Sequence, residues 1–351
     1  MSIVTTDRRA NLDDCCVIIP VLNPSNVLVD LVAQLLARGF KNVVVINDGS
    51  NDSYVDKFDQ VKALGAEVVT HAYNLGKGQA IKSGLRQTLA KKCRIAMTMD
   101  SDGQHLVSDA LVIAIKALSR EKPAVVLGVR QFAGAVPFRS RFGNSLTQWI
   151  FKQLFGVAVG DTQTGLRAFP AELIPGLIDL AGDRYEYEMN VLVRIADLKC
   201  PIVESPIETI YIDGNSSSHF RPFIDSIRIY FVLFRDIFLS LSSFAIDIGL
   251  FTLGMAVLGN VTTATFFARA ISGTYNFVGN KFFVFKRNAF KSIRRELVGY
   301  VLLAISIASI SSALVSQLLI AYPSNVTLLK ISVDLGLYAA SFAIRRIFVF
   351  K

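Results

Sequence analysis

An α/β domain built on a mostly parallel sheet, followed by an all-α membrane domain of four helices, is the architecture the sequence predicts. Three observations predict it. From residue 15 to about 130, short apolar runs alternate with longer amphipathic stretches. From about residue 236, four apolar stretches of membrane-spanning length follow one another. The mean hydropathy is positive, +0.44, although the chain carries a formal charge of +9. A soluble protein of that charge would suggest a nucleic-acid partner; the hydropathy makes lipid the neighbour instead and the basic residues membrane-side anchors.

In chain order, the runs CCVIIPV (15–21), NVVVIND (42–48), AEVVTHA (66–72), RIAMTMD (94–100) and AVVLGVR (124–130) read as buried strands. Stretches such as NVLVDLVAQLLARG and QAIKSGLRQTLAKK between them read as covering helices, a βαβ pattern that places a parallel sheet between helical layers. Sheets of this kind bind ligands at the carboxyl ends of their strands. Asn23 follows the first run, Asp48 ends the second, Asp100 and Asp102 follow the fourth, and Arg130 ends the fifth. Strand ends also collect turn formers, but four ends in this company favour a site.

Four spans are expected at residues 238–258, 262–285, 297–320 and 326–350, each near the ~20 residues that cross a bilayer. The connection KRNAFKSIRRE and the terminal IRRIFVFK are basic, whereas GNVTT and AYPSNVT are uncharged. The positive-inside rule then puts the α/β domain and the C-terminus together in the cytoplasm, on a multi-pass protein of the cell membrane. NFVGNKFFVFK at 276–286 returns as SFAIRRIFVFK at 341–351, so the membrane part reads as tandem hairpins. In that register Arg269 matches Asp334, and the two are expected to pair, with Asp247 as the competing partner. The expected domains are residues 1–220, a juxtamembrane linker at 221–237, and 238–351.

Four cysteines without a CxxC pair and three scattered histidines make a zinc site unlikely on spacing and suggest a reduced setting. The N-terminal MSIVTTDRRANLDD lacks an apolar h-region, so no cleaved signal peptide is expected. Asp100-Ser-Asp102-Gly-Gln104 has the chemistry of a hard-cation site, two carboxylates and an amide oxygen around a glycine, and Mg²⁺ or Mn²⁺ bridging substrate phosphates suits it. NLGKGQAIKSGL (74–85) matches neither GxGxxG nor the P-loop spacing, which leaves a backbone turn against a nucleotide as its functional reading. Arg130, Arg139 and Arg141, with Ser145 beyond them, adjoin an amphipathic stretch; they form either a solvated face or a phosphate clamp at the membrane surface. DTQTGLRAF places Asp161 and Arg167 around a Thr/Gly turn.

Taken in order, VIIPVLN, INDGSND, NLGKGQAIKSGL, MDSDGQH, GVR, DTQTGLRAF and YIDGNSSSHFRPFIDSIRI resemble a family 2 glycosyltransferase of GT-A fold. The resemblance is to the branch of polyprenyl-phosphate glycosyltransferases that includes dolichyl-phosphate mannose synthases, and the four-helix region resembles a GtrA-like membrane domain. It implies that Asp102 and Gln104, with Asp100 beside them, hold Mg²⁺ or Mn²⁺, while Asp100 supports the sugar nucleotide. Pro20, Asn23, Asp48 and Lys77 would complete the nucleotide-sugar site, and Arg130, Arg141 and Ser145 would hold the acceptor phosphate. Asp161 takes a positioning role, or one near the sugar hydroxyls. Pro24 and Asn47 depart from the family pattern, which leaves the donor base, UDP or GDP, open.

The activity implied is inverting transfer of a hexose, glucose or mannose, to polyprenyl phosphate, an acceptor already anionic at neutral pH and so in no need of a general base. A processive synthase would carry QxxRW, and the single Trp149 lies in TQWIF. The competing reading is a membrane carrier or scaffold whose α/β domain binds nucleotide without transferring sugar. No nucleic-acid partner is expected, and a homo-oligomer stays open.

Overall fold

The computed structural model describes residues 11–130, 138–208, 222–280, 293–322 and 325–344. The chain forms two compact units, Met1–Leu233 and Phe234–Lys351.

The first unit is a seven-stranded sheet in the order β3-β2-β1-β4-β6-β5-β7. Its strands are β1 (Cys15–Val21), β2 (Asn42–Asn47), β3 (Glu67–Thr70), β4 (Ile95–Thr98), β5 (Val125–Arg130), β6 (Arg167–Pro170) and β7 (Ile202–Ile207). All neighbours pair in parallel except β6, which runs antiparallel to both β4 and β5. The helices of this unit are α1 (Val27–Ala37), α2 (Val55–Ala63), α3 (Lys77–Ala90), α4 (Val107–Leu118), α5 (Phe138–Phe155), α6 (Ile174–Ile178) and α7 (Glu186–Asp197), followed by the start of α8 (Pro222–Leu258).

Successive strand residues point to opposite faces, so each central strand feeds two cores. Cys15, Val17, Ile19, Val43, Val45 and Met97 meet α1, α2 and α4 on one side. Cys16, Ile18, Val44, Ile46 and Leu127 meet α3, α5, α6, α7 and the start of α8 on the other. In α1 the buried positions Leu28, Leu31, Val32 and Leu35 recur at helical spacing, and the helix stops where Gly39 takes a left-handed φ of +95°. α3 lies close to β1 because Gly84 has no side chain; a Cβ there would run into Ile18.

Pro20 sits in a central strand, where a missing N–H normally breaks the ladder. Here the β1–β4 pairing ends at Ile18↔Thr98, and the next bond on that side is from the Met99 N–H to the Ile18 carbonyl. The missing donor therefore falls where β1 and β4 have already parted. The next strand after β1 lies on one side of it and β4 on the other, so this opening is the switch point of the sheet.

The second unit holds the remainder of α8 with α9 (Val261–Val278), α10 (Ile293–Ala321) and α11 (Val326–Ile344). The expected linker at 221–237 is helical from Pro222 and continuous with α8. Among the described residues, Ile237–Leu258 and Leu297–Ala321 are long and apolar enough to cross a bilayer, while α9 carries Arg269 and α11 carries Lys330 and Asp334. The unit is apolar outside and polar within: Leu241, Leu253, Val257, Leu302 and Leu328 are exposed, whereas Asp247, Ser272, Ser311, Lys330 and Asp334 are buried. Charge turned inward and leucine turned outward is the arrangement that lipid, and not water, stabilises.

The expected Arg269–Asp334 pair is present, with Nη2 to Oδ2 at 3.0 Å, and the same guanidinium lies 3.3 Å from Asp247. Lys330, absent from the sequence expectation, joins both carboxylates at 2.8 and 3.4 Å. The two copies of the repeat, at 276–286 and 341–351, lie mostly outside the described residues.

Candidate active site

The functional side chains gather at the carboxyl rim of the parallel strands, on loops whose shape is set by short side chains and glycines. After β1, Asn23 takes a left-handed φ of 51°, which asparagine tolerates better than most residues. Its N–H donates to Ser50 Oγ at 2.8 Å and its side-chain oxygen accepts from the Asn51 N–H at 3.1 Å. Asn47, one of the two residues that depart from the family pattern, accepts from the Ser50 N–H at 2.9 Å. The β1 and β2 ends are thereby stitched together.

Asp48 is nearly fully buried, and its carboxylate is committed to the strap 71–76. It accepts from the Leu75 N–H at 3.0 Å, the Gly76 N–H at 2.8 Å and His71 Nδ1 at 2.8 Å. Gly49 allows this, since a Cβ there would strike the backbone of Tyr73 and Asn74. The glycines of NLGKGQ serve a protein contact: Gly76 and Gly78 lie against Asp183, Arg184 and Tyr187, and the Gln79 N–H donates to the Asp183 carbonyl at 3.2 Å. The start of α3 is thus capped by the loop before α7.

Lys77, the first residue of α3, reaches Asp100 Oδ1 at 2.7 Å and Glu188 Oε2 at 3.2 Å, with its ammonium 5.5 Å from the centre of the Tyr185 ring. Burial opposes the charge on Asp100, but Lys77 and His105 outweigh it and hold the carboxyl well below the usual range. Burial likewise opposes the charge on Lys77, and Asp100 and Glu188 outweigh it, raising the lysine above its ordinary value. Asp102 moves the other way: burial, and then the negative charge of Asp100, push it up. One oxygen of Asp102 accepts from the Gln104 N–H at 3.0 Å, and Gln104 itself is buried.

Across the rim, the Nε and Nη2 of Arg130 form a two-pronged pair with Asp161, at 2.6 and 3.0 Å, and Asp161 is wholly buried. The loop 161–166 is built around Arg167, which donates to the carbonyls of Thr164, Glu188 and Thr162 at 2.7, 2.9 and 3.0 Å. Thr98 donates to the Gly165 carbonyl at 2.8 Å, and Gly165 lies so close to Asp100 that a Cβ would overlap the carboxylate. α5 docks on the same loop: Asn144 accepts from the Thr162 N–H at 3.3 Å, and Gln148 donates to the Gly160 carbonyl. Ser145 is exposed on α5, and the Arg139 and Arg141 side chains lie outside the described residues.

The rim therefore brings Lys77 to Asp100, Asp102 to Gln104 and Arg130 to Asp161. Three participants escaped the sequence reading: Glu188, delivered by α7, Asn144, delivered by α5, and His71. His71 carried the signal that found the others, because it follows β3 directly.

No group of three His, Cys, Asp or Glu side chains among the described residues is placed to hold a metal alone. The donors nonetheless fit a divalent cation of the Mg²⁺ kind, which uses one or two carboxylates and fills its remaining positions from water and phosphate. Asp102, a carboxylate whose ionisation its neighbour opposes, is the group a cation would relieve.

A switch-point crevice in a mostly parallel sheet, with acidic side chains and a lysine at its rim, defines a GT-A nucleotide-sugar transferase domain. The chain belongs to glycosyl transferase family 2, whose pattern matches residues 16–170, and continues into a GtrA/DPMS transmembrane domain at residues 237–350. It is a membrane protein and a transferase. A protein of Methanocaldococcus jannaschii with no assigned activity is 32% identical over 216 residues, which cover 60% of this chain and 87% of that protein. The UDP-N-acetylglucosamine--dolichyl-phosphate N-acetylglucosaminyltransferase of Methanococcus voltae is 28% identical, over 55% of this chain and 84% of its own. The dolichyl-phosphate beta-glucosyltransferase of Drosophila melanogaster is 27% identical, over 62% and 73%.

Proposed function

We propose that the chain transfers a sugar from a nucleoside-diphosphate donor to a polyprenyl phosphate, with inversion, at the cytoplasmic face of the cell membrane, and that a divalent cation is required. The observation that carries this reading is the unequal pair of carboxylates at the end of β4: Lys77 neutralises Asp100, while Asp102 is left in a field that a cation would relieve. Two similar proteins named for dolichyl-phosphate acceptors support the choice of a lipid phosphate, as does the membrane domain in the same chain.

Asp102 and Gln104 would hold Mg²⁺ or Mn²⁺, and when bound the ion supplies charge neutralisation for the departing diphosphate. Lys77 holds Asp100 ionised and in place beside the donor. The Arg130–Asp161 pair fixes the loop that carries Thr162 and Gly165, and Arg130, Arg141 and Ser145 would hold the acceptor phosphate. The phosphate oxygen of the acceptor is already anionic near neutral pH, with a second pKa of about 6 by analogy with phosphomonoesters. Orientation of that oxygen toward the anomeric carbon is then the chain's main task.

The test is transfer by purified protein in detergent, using labelled UDP-glucose, UDP-N-acetylglucosamine and GDP-mannose with polyprenyl phosphate and Mg²⁺ or Mn²⁺. A lipid-linked product that disappears with chelator and with Asp102→Ala is expected. Nucleotide binding without a lipid product from any donor would overturn the reading in favour of a carrier. Glucose is the favoured sugar, with mannose and N-acetylglucosamine as the alternatives that the panel separates.

A further inference from the structure

We infer that His71 is a positioning residue for the donor site, acting through Asp48 and the strap 71–76. The inference deepens the proposed transfer reaction, and its kinetic arm rests on that reading. Three of the four groups around the strap have fixed roles. The Leu75 and Gly76 amides point N–H at Asp48, and the carboxylate is acceptor-only. His71 Nδ1, 2.8 Å from the same carboxylate, must therefore carry a proton. In the neutral ring Nε2 is then an acceptor, and it receives the hydroxyl of Ser83 on α3 at 2.9 Å. The ring is also held through its backbone, since the His71 N–H donates to the Asn47 carbonyl at 2.9 Å.

The consequence is a strut running from Ser83 through His71 and Asp48 to the two amides just before Lys77. Asp48 lies 4% exposed, and the three described partners of its carboxylate all belong to this strap. Without the ring, Oδ1 of Asp48 loses one of its two bonds inside a buried setting, which loosens its hold on residues 75 and 76. Lys77 follows immediately and must be delivered to Asp100 across a 2.7 Å contact. His71 touches neither Lys77 nor Asp100 in any described contact, so its effect on the reaction passes through the strap.

Substitution separates this role from general structural support. Asparagine places an amide N–H where Nδ1 donates, whereas alanine removes the donor. His71→Ala should speed hydrogen exchange at the Leu75 and Gly76 amides by about tenfold or more, while His71→Asn keeps it near that of the parent. With donor varied, His71→Ala should raise KM by about tenfold with kcat changed by less than about threefold and acceptor KM unmoved; His71→Asn should recover most of the loss. Unchanged exchange in His71→Ala, an Asn variant no better than Ala, or donor and acceptor KM rising together would each overturn the inference. Absence of transfer in the parent would sink the proposed function alone, because the exchange measurement still decides whether His71 holds the strap.

Discussion

Two aspartates separated by a single serine meet opposite fates, and the difference is set by what approaches each of them. Lys77 stands 2.7 Å from Asp100, so that carboxylate ionises readily; burial and the resulting negative charge then raise Asp102. An acid whose folded pKa lies above its unfolded value of about 3.9 takes up protons on folding across that window. Stability contributed by Asp102 therefore falls as pH rises through the window, and at neutral pH its charge is a cost to the protein without a cation. Asp102→Asn should remove that cost. In chelator at pH 7 the variant is expected to melt at or above the parent temperature, by up to about 1 kcal/mol of added stability. Addition of Mg²⁺ should raise the melting temperature of the parent and leave the variant unmoved. A thermal melt with and without the ion checks both signs, and equal stabilisation of the two proteins would place the cation elsewhere.

At the scale of elements, the site depends on how closely a loop can approach a strand end. The loop before β6 lies against the end of β4 through Gly165, whose missing Cβ leaves room for the Asp100 carboxylate. Gly165→Ala should displace Asp100 from Lys77 and lower transfer by about a hundredfold, at a stability cost of about 1–3 kcal/mol typical of overpacking. Transfer kinetics beside a thermal melt would separate the two, and a variant with parental activity would show that Asp100 has room to move. This contact also marks the limit of what the sequence reveals. The five strands with continuous apolar runs were legible, as were Asp48, Asp100, Asp102 and Arg130 at their ends, because a buried parallel strand leaves a strong local pattern. β6 was not: it is four residues long, RAFP, and its first residue is a buried arginine satisfied by carbonyls of the preceding loop and of Glu188. β7 was missed for a related reason, since IVESPI interrupts its apolar run with Glu204 and Pro206. The partners of the site residues were hidden by distance along the chain. Glu188 meets Lys77 and Asn144 meets Thr162 only after the helices dock, and no spacing rule encodes such an approach.

At the scale of the whole molecule, the chain places polar chemistry in two different solvents. The rim of the α/β unit sets charge near water, whereas the helical unit balances two carboxylates with two cations inside an apolar exterior. The expected Arg269–Asp334 pair was legible from the repeat register, but Lys330, wholly buried one turn before Asp334, changes what a substitution test means. A reversal that put arginine at 334 would set it beside Lys330, so swapping the two charges is not expected to restore the fold. Neutralising a pair should do so. Arg269→Met leaves one ammonium between two carboxylates and should destabilise the unit, because a buried charge without its partner is costly. Asp247→Asn should also destabilise it, leaving two cations for one carboxylate. The combined Arg269→Met/Asp247→Asn chain keeps the Lys330–Asp334 contact at 2.8 Å and the Ser311 hydroxyl on Asp334 at 2.6 Å. It should therefore lose less stability than the sum of its parts, by about 1–2 kcal/mol, when melted in detergent. Strict additivity would show that the four charges are independent, and that charge balance is not what this interior requires.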